Sequence, residues 1–203
     1  MTDITEGQQA PAFDLQVDGG GSVSLAGLKG KTVVLYFYPK ADTPGCTTEG
    51  QDFTALGDEF AAANAVVIGV SRDPVKKLDR FKTKAALGVI LGSDETGVVT
   101  ETYGVWGEKT LYGRVYMGIE RATFLIDADG IVQRTWRKVS VKGHAAAVLD
   151  ADTGRIHLFC CRNNTQVLLL HTDDDGRYCT GFFGVDLRQF RFCVWASRMR
   201  RTG

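Results

Sequence analysis

Two uninterrupted apolar runs, "KTVVLYFYP" (31–39) and "AVVIGVS" (65–71), constrain the fold more than any other feature of this sequence. Each is rich in β-branched and aromatic residues and has the length of a buried strand. Pro39 ends the first, because a proline cannot donate to a sheet ladder. Between the runs, "TEGQDFTALGDEFAAAN" sets Phe53, Leu56 and Phe60 on one face of an amphipathic helix. "DPVKKLDRFKTKAAL" (73–87) reads as a second helix. "RATFLID" (121–127) reads as a third strand, "DADG" (127–130) as a turn, and "IVQRTWRKV" (131–139) as a half-buried strand that completes a hairpin. "KGHAAAVLDA" (142–151) reads as a closing helix. Strands alternating with helices give an α/β sandwich, and the late hairpin makes its central sheet mixed.

A break in composition divides the chain near Asp152. Residues 1–152 carry 16 Lys and Arg against 20 Asp and Glu, so this part is mildly acidic and gives no reason to expect a nucleic-acid partner. Residues 153–203 carry 8 Arg, 4 Asp, no Lys and no Glu, together with four of the five cysteines. No apolar run reaches the roughly 18 residues of a membrane span. "MTDITEGQQAPAFDLQ" is too polar for a secretory signal, so the expected location is cytoplasmic, with no membrane association. Five cysteines are too few for a disulfide scaffold of this length.

Cys46 stands alone in the first 159 residues, in "YPKADTPGCTTEG". With Thr43 as helix N-cap, Pro44 takes the first helical position, where its missing N–H costs nothing. Cys46 then lies in the first turn. Unpaired N–H groups and the positive end of the helix dipole favour an anion there, which for a cysteine is the thiolate. Gly45 leaves room for a reactant, and Pro39 shields one side of the loop. A lone cysteine is also an ordinary small core residue. No Cys-x-x-Cys accompanies it, and no second metal ligand lies near. His144, in "KGHAAA", reads as an exposed helix residue rather than a base. Arg121, at the start of its strand, is a cation able to reach across a pocket, although pairing with Glu120 at the surface is the plainer reading of that position.

The string "PKADTPGC" fits the Pro-x-x-x-Thr-x-x-Cys signature of peroxiredoxins. "APAFDL", "FYPKADTPGCTTEG", "YGVWGEKTLYGRVYMGIERATFLIDADG" and "WRKVSVKGHAAAVLDA" together resemble the peroxiredoxin Q, or bacterioferritin comigratory protein, subfamily over residues 4–151. The resemblance implies a thioredoxin-like fold for residues 1–152 and reduction of hydrogen peroxide or alkyl hydroperoxides. It puts Cys46 at the peroxidatic position and Thr43 at that of the hydroxyl bonding thiolate and peroxide. Pro39 falls at the covering proline and Arg121 at the catalytic arginine. It implies no metal, flavin or nicotinamide cofactor. Its expected partners are a hydroperoxide and thioredoxin or a similar thiol, the protein being a monomer or weak dimer.

Two departures stand out. Many relatives place a resolving cysteine five residues after the peroxidatic one, where this chain has Gln51, and the helix over 73–87 has none either. The expectation is a one-cysteine enzyme reduced by an external thiol, the alternative being that Cys160 or Cys161 resolves Cys46. The second departure is the extension over 153–203. "RIHLFC", "TQVLLL" and "RQFRFCVW" could form two or three strands, yet a segment lacking both Lys and Glu reads more readily as a poorly folded or accidental tail. A zinc site from His157, Cys160, Cys161 and Cys179 lacks a recognisable ligand spacing. A peroxide sensor with little turnover is the rival functional reading.

Overall fold

A computed structural model describes residues 4–111, 114–153, 157–159, 166–172 and 178–184. The chain divides into two compact units, Met1–Thr153 and Gly154–Gly203.

The first unit is built in the order β1 (Asp14–Val17), β2 (Ser22–Ser24), β3 (Thr32–Phe37), α1 (Pro44–Ala55), α2 (Gly57–Ala62), β4 (Ala65–Ser71) and α3 (Val75–Ala85). There follow β5 (Ile90–Ser93), α4 (Val98–Thr102), β6 (Trp106–Leu111), β7 (Arg114–Ile119), β8 (Ala122–Ile126), β9 (Val132–Trp136) and α5 (His144–Thr153). Seven strands form one sheet in the order β2-β1-β5-β4-β3-β8-β9, while β6 and β7 pair only with each other. β3 runs parallel to β4, and β4 to β5, while β8 is antiparallel to both β3 and β9. The sheet is therefore mixed, with helices on both faces, as the alternation of runs and helical segments implies.

The period-2 alternation of strands sorts the apolar residues into two layers. Val34, Tyr36, Tyr38, Val67 and Leu125 face α1, α3 and α5, whose Phe53, Leu78, Phe81 and Val148 complete that layer. Val33, Leu35, Phe37, Ile68, Val70, Phe124 and Ile126 face the other way, toward Phe13, Val99 and Tyr103. The run is apolar or aromatic from Val33 onward because every side chain from Val33 to Phe37 is buried on one face or the other. Opposite Tyr36 in β4 lies Gly69, where an added Cβ would come within 2.4 Å of the Tyr36 ring. Only glycine leaves that ring its place.

The helix read through Phe53 and Phe60 is two helices. Leu56 leaves helical geometry at φ −100° and ψ 13°, ending α1 and opening α2. The hairpin turn closes on Gly130 at φ +86°, with the Asp127 carboxylate accepting from the Asp129 and Ile131 amides.

The second unit contains β10 (His157–Phe159), β11 (Gln166–Thr172) and β12 (Tyr178–Gly184), joined as a three-stranded antiparallel sheet. The "RQFRFCVW" segment, Cys160 and Cys161 lie outside the described residues, and with them half of the candidate zinc set.

Candidate active site

Thr43 has extended backbone angles, φ −106° and ψ 151°, and Pro44 is the first residue of α1, which makes Cys46 the third. The Thr47 amide donates to the Thr43 carbonyl at 2.9 Å, closing the first turn around the sulfur. The Thr43 hydroxyl does not cap the helix; it donates to the Lys40 carbonyl at 3.0 Å. Pro39 stands exposed, two residues past the end of β3. Cys46 is 2% exposed and packs in the layer shared by α1 and β3.

Arg121 is the residue that the sheet brings to the sulfur. It immediately precedes β8, and extending the β8 alternation back by one places it with Thr123 and Leu125 on the α1 face. Its Nη2 donates to Cys46 Sγ at 3.2 Å. Its Nη1 donates to Glu49 Oε2, forming a buried ion pair. The surface pairing with Glu120 is not what the structure contains: Glu120 pairs with Arg137 at 2.6 Å. A Cβ on Gly45 would stand in van der Waals contact with Arg121 Nη2, at 3.5 Å.

Glu49 went unrecognised in the sequence. It lies one turn beyond Cys46 on the same face of α1, the i, i+3 relation that puts two side chains side by side, and that spacing is the signal that could have found it. It is 1% exposed, and its Oε1 has no hydrogen-bond partner among the described residues. Burial pushes its titration up from 4.5 to about 7, against the lowering pull of the Arg121 charge and hydrogen bond. Arg121 is held charged more firmly than usual by Glu49 and Cys46, which outweigh its own burial.

His144 is a correction to the sequence reading. It is not an exposed helix residue: it is 7% exposed, its Nε2 lies 2.7 Å from the Thr123 hydroxyl, and its ring meets Phe53 and Trp136 edge-on. The local string "KGHAAA" holds no sign of this, because the burying residues come from α1 and β9. Burial and the nearby Arg121 charge lower its titration to about 4, so it is neutral at pH 7. Gln51 is exposed on α1, its amide donating to the Ala85 carbonyl at 3.3 Å.

The site is thus a thiol in the first turn of a helix, under a guanidinium that is itself anchored by a buried carboxylate. Such a site can hold a thiolate and stabilise charge developing on an oxygen brought to it. The AhpC/TSA family matches residues 6–135. Peroxiredoxin Bcp of Bacillus subtilis is 49% identical over 147 residues, which cover 72% of this chain and 94% of that protein. Peroxiredoxin Bcp of Xanthomonas campestris is 47% identical over 153 residues, 74% of this chain and 96% of that protein. Among solved structures, the Xanthomonas campestris bacterioferritin comigratory protein, described for its alkyl peroxide reduction activity, superposes with a TM-score of 0.66. It shares 46% identity over 70% of this chain and 90% of that one. Peroxidoxin BcpB of Mycobacterium tuberculosis superposes with a TM-score of 0.66 at 35% identity, covering 74% of this chain and 97% of that one. The chain belongs to the AhpC/TSA family, and within it to the peroxiredoxin Q, or bacterioferritin comigratory protein, subfamily.

Proposed function

We propose that this thiol peroxidase reduces hydrogen peroxide and alkyl hydroperoxides with Cys46 as its nucleophile, and that an external thiol regenerates it. The observation that carries the assignment of Cys46 is the 3.2 Å approach of Arg121 Nη2 to its sulfur in the first turn of α1. The thiolate attacks the terminal oxygen of the hydroperoxide. The S–O bond forms as the O–O bond breaks, and the electron pair leaves on the alkoxide, which takes a proton from solvent. Cys46 is left as a sulfenic acid, oxidised by two electrons. Arg121 and the N–H groups of the α1 first turn stabilise the negative charge as it moves from sulfur to the departing oxygen. Thr43 is assigned to hold the peroxide, which requires its hydroxyl to turn from the Lys40 carbonyl, and Pro39 to cover the loop.

Two thiols complete the cycle. The first condenses with the sulfenic acid, releasing water and leaving a mixed disulfide, and the second displaces Cys46 as a thiolate. Gln51 at the usual resolving position supports an external source, thioredoxin or a similar thiol, for both. No described helix is long and apolar enough to cross a membrane, which is compatible with work in the cytoplasm. The test is peroxide consumption under excess thioredoxin with its reductase. Many equivalents consumed per protein, and none by Cys46→Ser at an unchanged melting temperature, is the expected result. Turnover by the serine variant would remove Cys46 from the mechanism, and consumption stopping near one equivalent would favour a sensor.

A further inference from the structure

Arg121 serves two groups that are anions when ionised, the Cys46 thiolate and the Glu49 carboxylate. One guanidinium leaves that trio with a net negative charge when both are ionised. Cys46 and Glu49 are 2% and 1% exposed, so water does little to screen the excess. Uncompensated charge in such a place is costly, and a second cation nearby would offset it. His144 does not supply one, being neutral at pH 7.

Lys109, on β6, has the required properties. It is half-buried, and its Nζ donates to the carbonyl of Ile119, two residues before Arg121. Among the described residues no carboxylate lies within ion-pair reach of its ammonium. With Arg121 it lines a cavity of about 520 Å³, whose other charged residues are Glu108, Glu120, Arg137 and Lys138. Glu120 is taken up by Arg137 at 2.6 Å, and Glu108 and Lys138 are exposed. Burial and the Arg121 charge lower the Lys109 titration while Glu120 and Cys46 raise it. The Ile119 carbonyl holds the ammonium two residues before the arginine whose Nη2 lies 3.2 Å from Cys46 Sγ.

We propose that Lys109 is a positioning residue for the peroxidase reaction, whose charge offsets the second anion of the Cys46–Glu49–Arg121 cluster and so favours Cys46 as thiolate at neutral pH. It rests on the reading of Cys46 as nucleophile. A half-buried ammonium with no carboxylate in ion-pair contact acts on the thiolate through a medium less polar than water, where a unit charge is felt more strongly. The bond to the Ile119 carbonyl fixes where that charge stands relative to Arg121.

The experiment measures the rate of Cys46 oxidation by hydrogen peroxide in the full chain from pH 4 to 9, read on the Cys46 peptide by mass spectrometry. Lys109→Gln can still donate to the Ile119 carbonyl but carries no charge, and Lys109→Arg keeps the charge. The glutamine variant is expected to move the midpoint of the pH–rate profile upward by about one unit and to slow the reaction below that midpoint about tenfold. The arginine variant is expected to restore both. A glutamine profile that overlays the wild type would overturn the proposal, leaving Lys109 a structural donor. An arginine variant as displaced as the glutamine variant would overturn it equally. Failure of the wild-type Cys46 peptide to oxidise at all would instead remove the nucleophile assignment beneath it.

Discussion

Arg121 Nη2 lies 3.2 Å from Cys46 Sγ, although 75 positions separate the two residues in the chain. The sheet ladder explains the meeting. Phe37, the last residue of β3, pairs with Ala122, the first of β8. The chain leaves β3 for α1 at the same end of the sheet where Arg121 delivers it into β8. A pair placed in this way responds to substitution at either residue or at the groups behind them.

Arg121→Met is expected to keep the fold and slow peroxide reduction. Losing one preorganised donor to developing oxyanion charge costs about 2–4 kcal/mol of transition-state stabilisation. Stopped-flow oxidation under excess peroxide measures it. A second-order rate constant equal to the wild type would show that the guanidinium only ties α1 to β8.

Glu49→Gln is expected to change how stability depends on pH. The Glu49 titration is raised in the folded state from 4.5 to about 7, so its contribution to stability is full below 4.5 and is lost as the pH rises through about 7. Chemical denaturation of wild type and variant from pH 4 to 8 checks this. The wild type should lose ground to the variant on going from acid to neutral pH, and parallel curves would contradict the buried titration.

His144→Gln tests the opposite slope. The His144 titration is lowered from 6.5 to about 4, so its contribution is full above 6.5 and is lost as the pH falls through about 4. The glutamine variant should be the less acid-sensitive protein in that window. Glu49 and His144 act in overlapping ranges with opposite signs, so the single variants reveal what a wild-type curve alone would conceal.

Peptide mapping after one equivalent of peroxide tests how Cys46 is resolved. No thiol occurs between Cys46 and Cys160, and Gln51 occupies the position five residues on. The expected products are Cys46 sulfenic acid and, with more peroxide, sulfinic acid. A Cys46–Cys160 or Cys46–Cys161 linked peptide as the main product would make the extension part of the cycle instead.

Much of the sheet was legible because its strands are written as apolar runs. β3, β4 and β8 fall within theirs, and β9 within a segment that alternates. β1, β2 and β5 are three or four residues long and carry no such run, and the β6–β7 hairpin exposes Val115, Tyr116 and Met117 in succession, which no burial pattern marks. The local half of the site, Thr43 through Cys46, could be read because helix-end chemistry is local. Arg121 had two readings from the residues alone, and only the family resemblance chose between them. The burial of His144 depends on Phe53 in α1 and on Trp136 in β9, and packing between separate elements leaves no trace in a short string.

The Phe37–Ala122 register also means that the two partners of the reacting pair are held with unequal stiffness. Arg121 stands immediately before a strand laddered to β3 and β9, and its own carbonyl accepts from the Val139 amide at 3.0 Å, so its backbone is tied to bonds that must open before it moves. Cys46 is held by one turn at the start of a helix, where the first N–H groups have no partner within the helix. Thermal motion will therefore stretch the sulfur–guanidinium contact from the cysteine side. Amide exchange should find the α1 entry opening while the β8 ladder stays closed, so that one partner acts as the anvil and the other as the hammer.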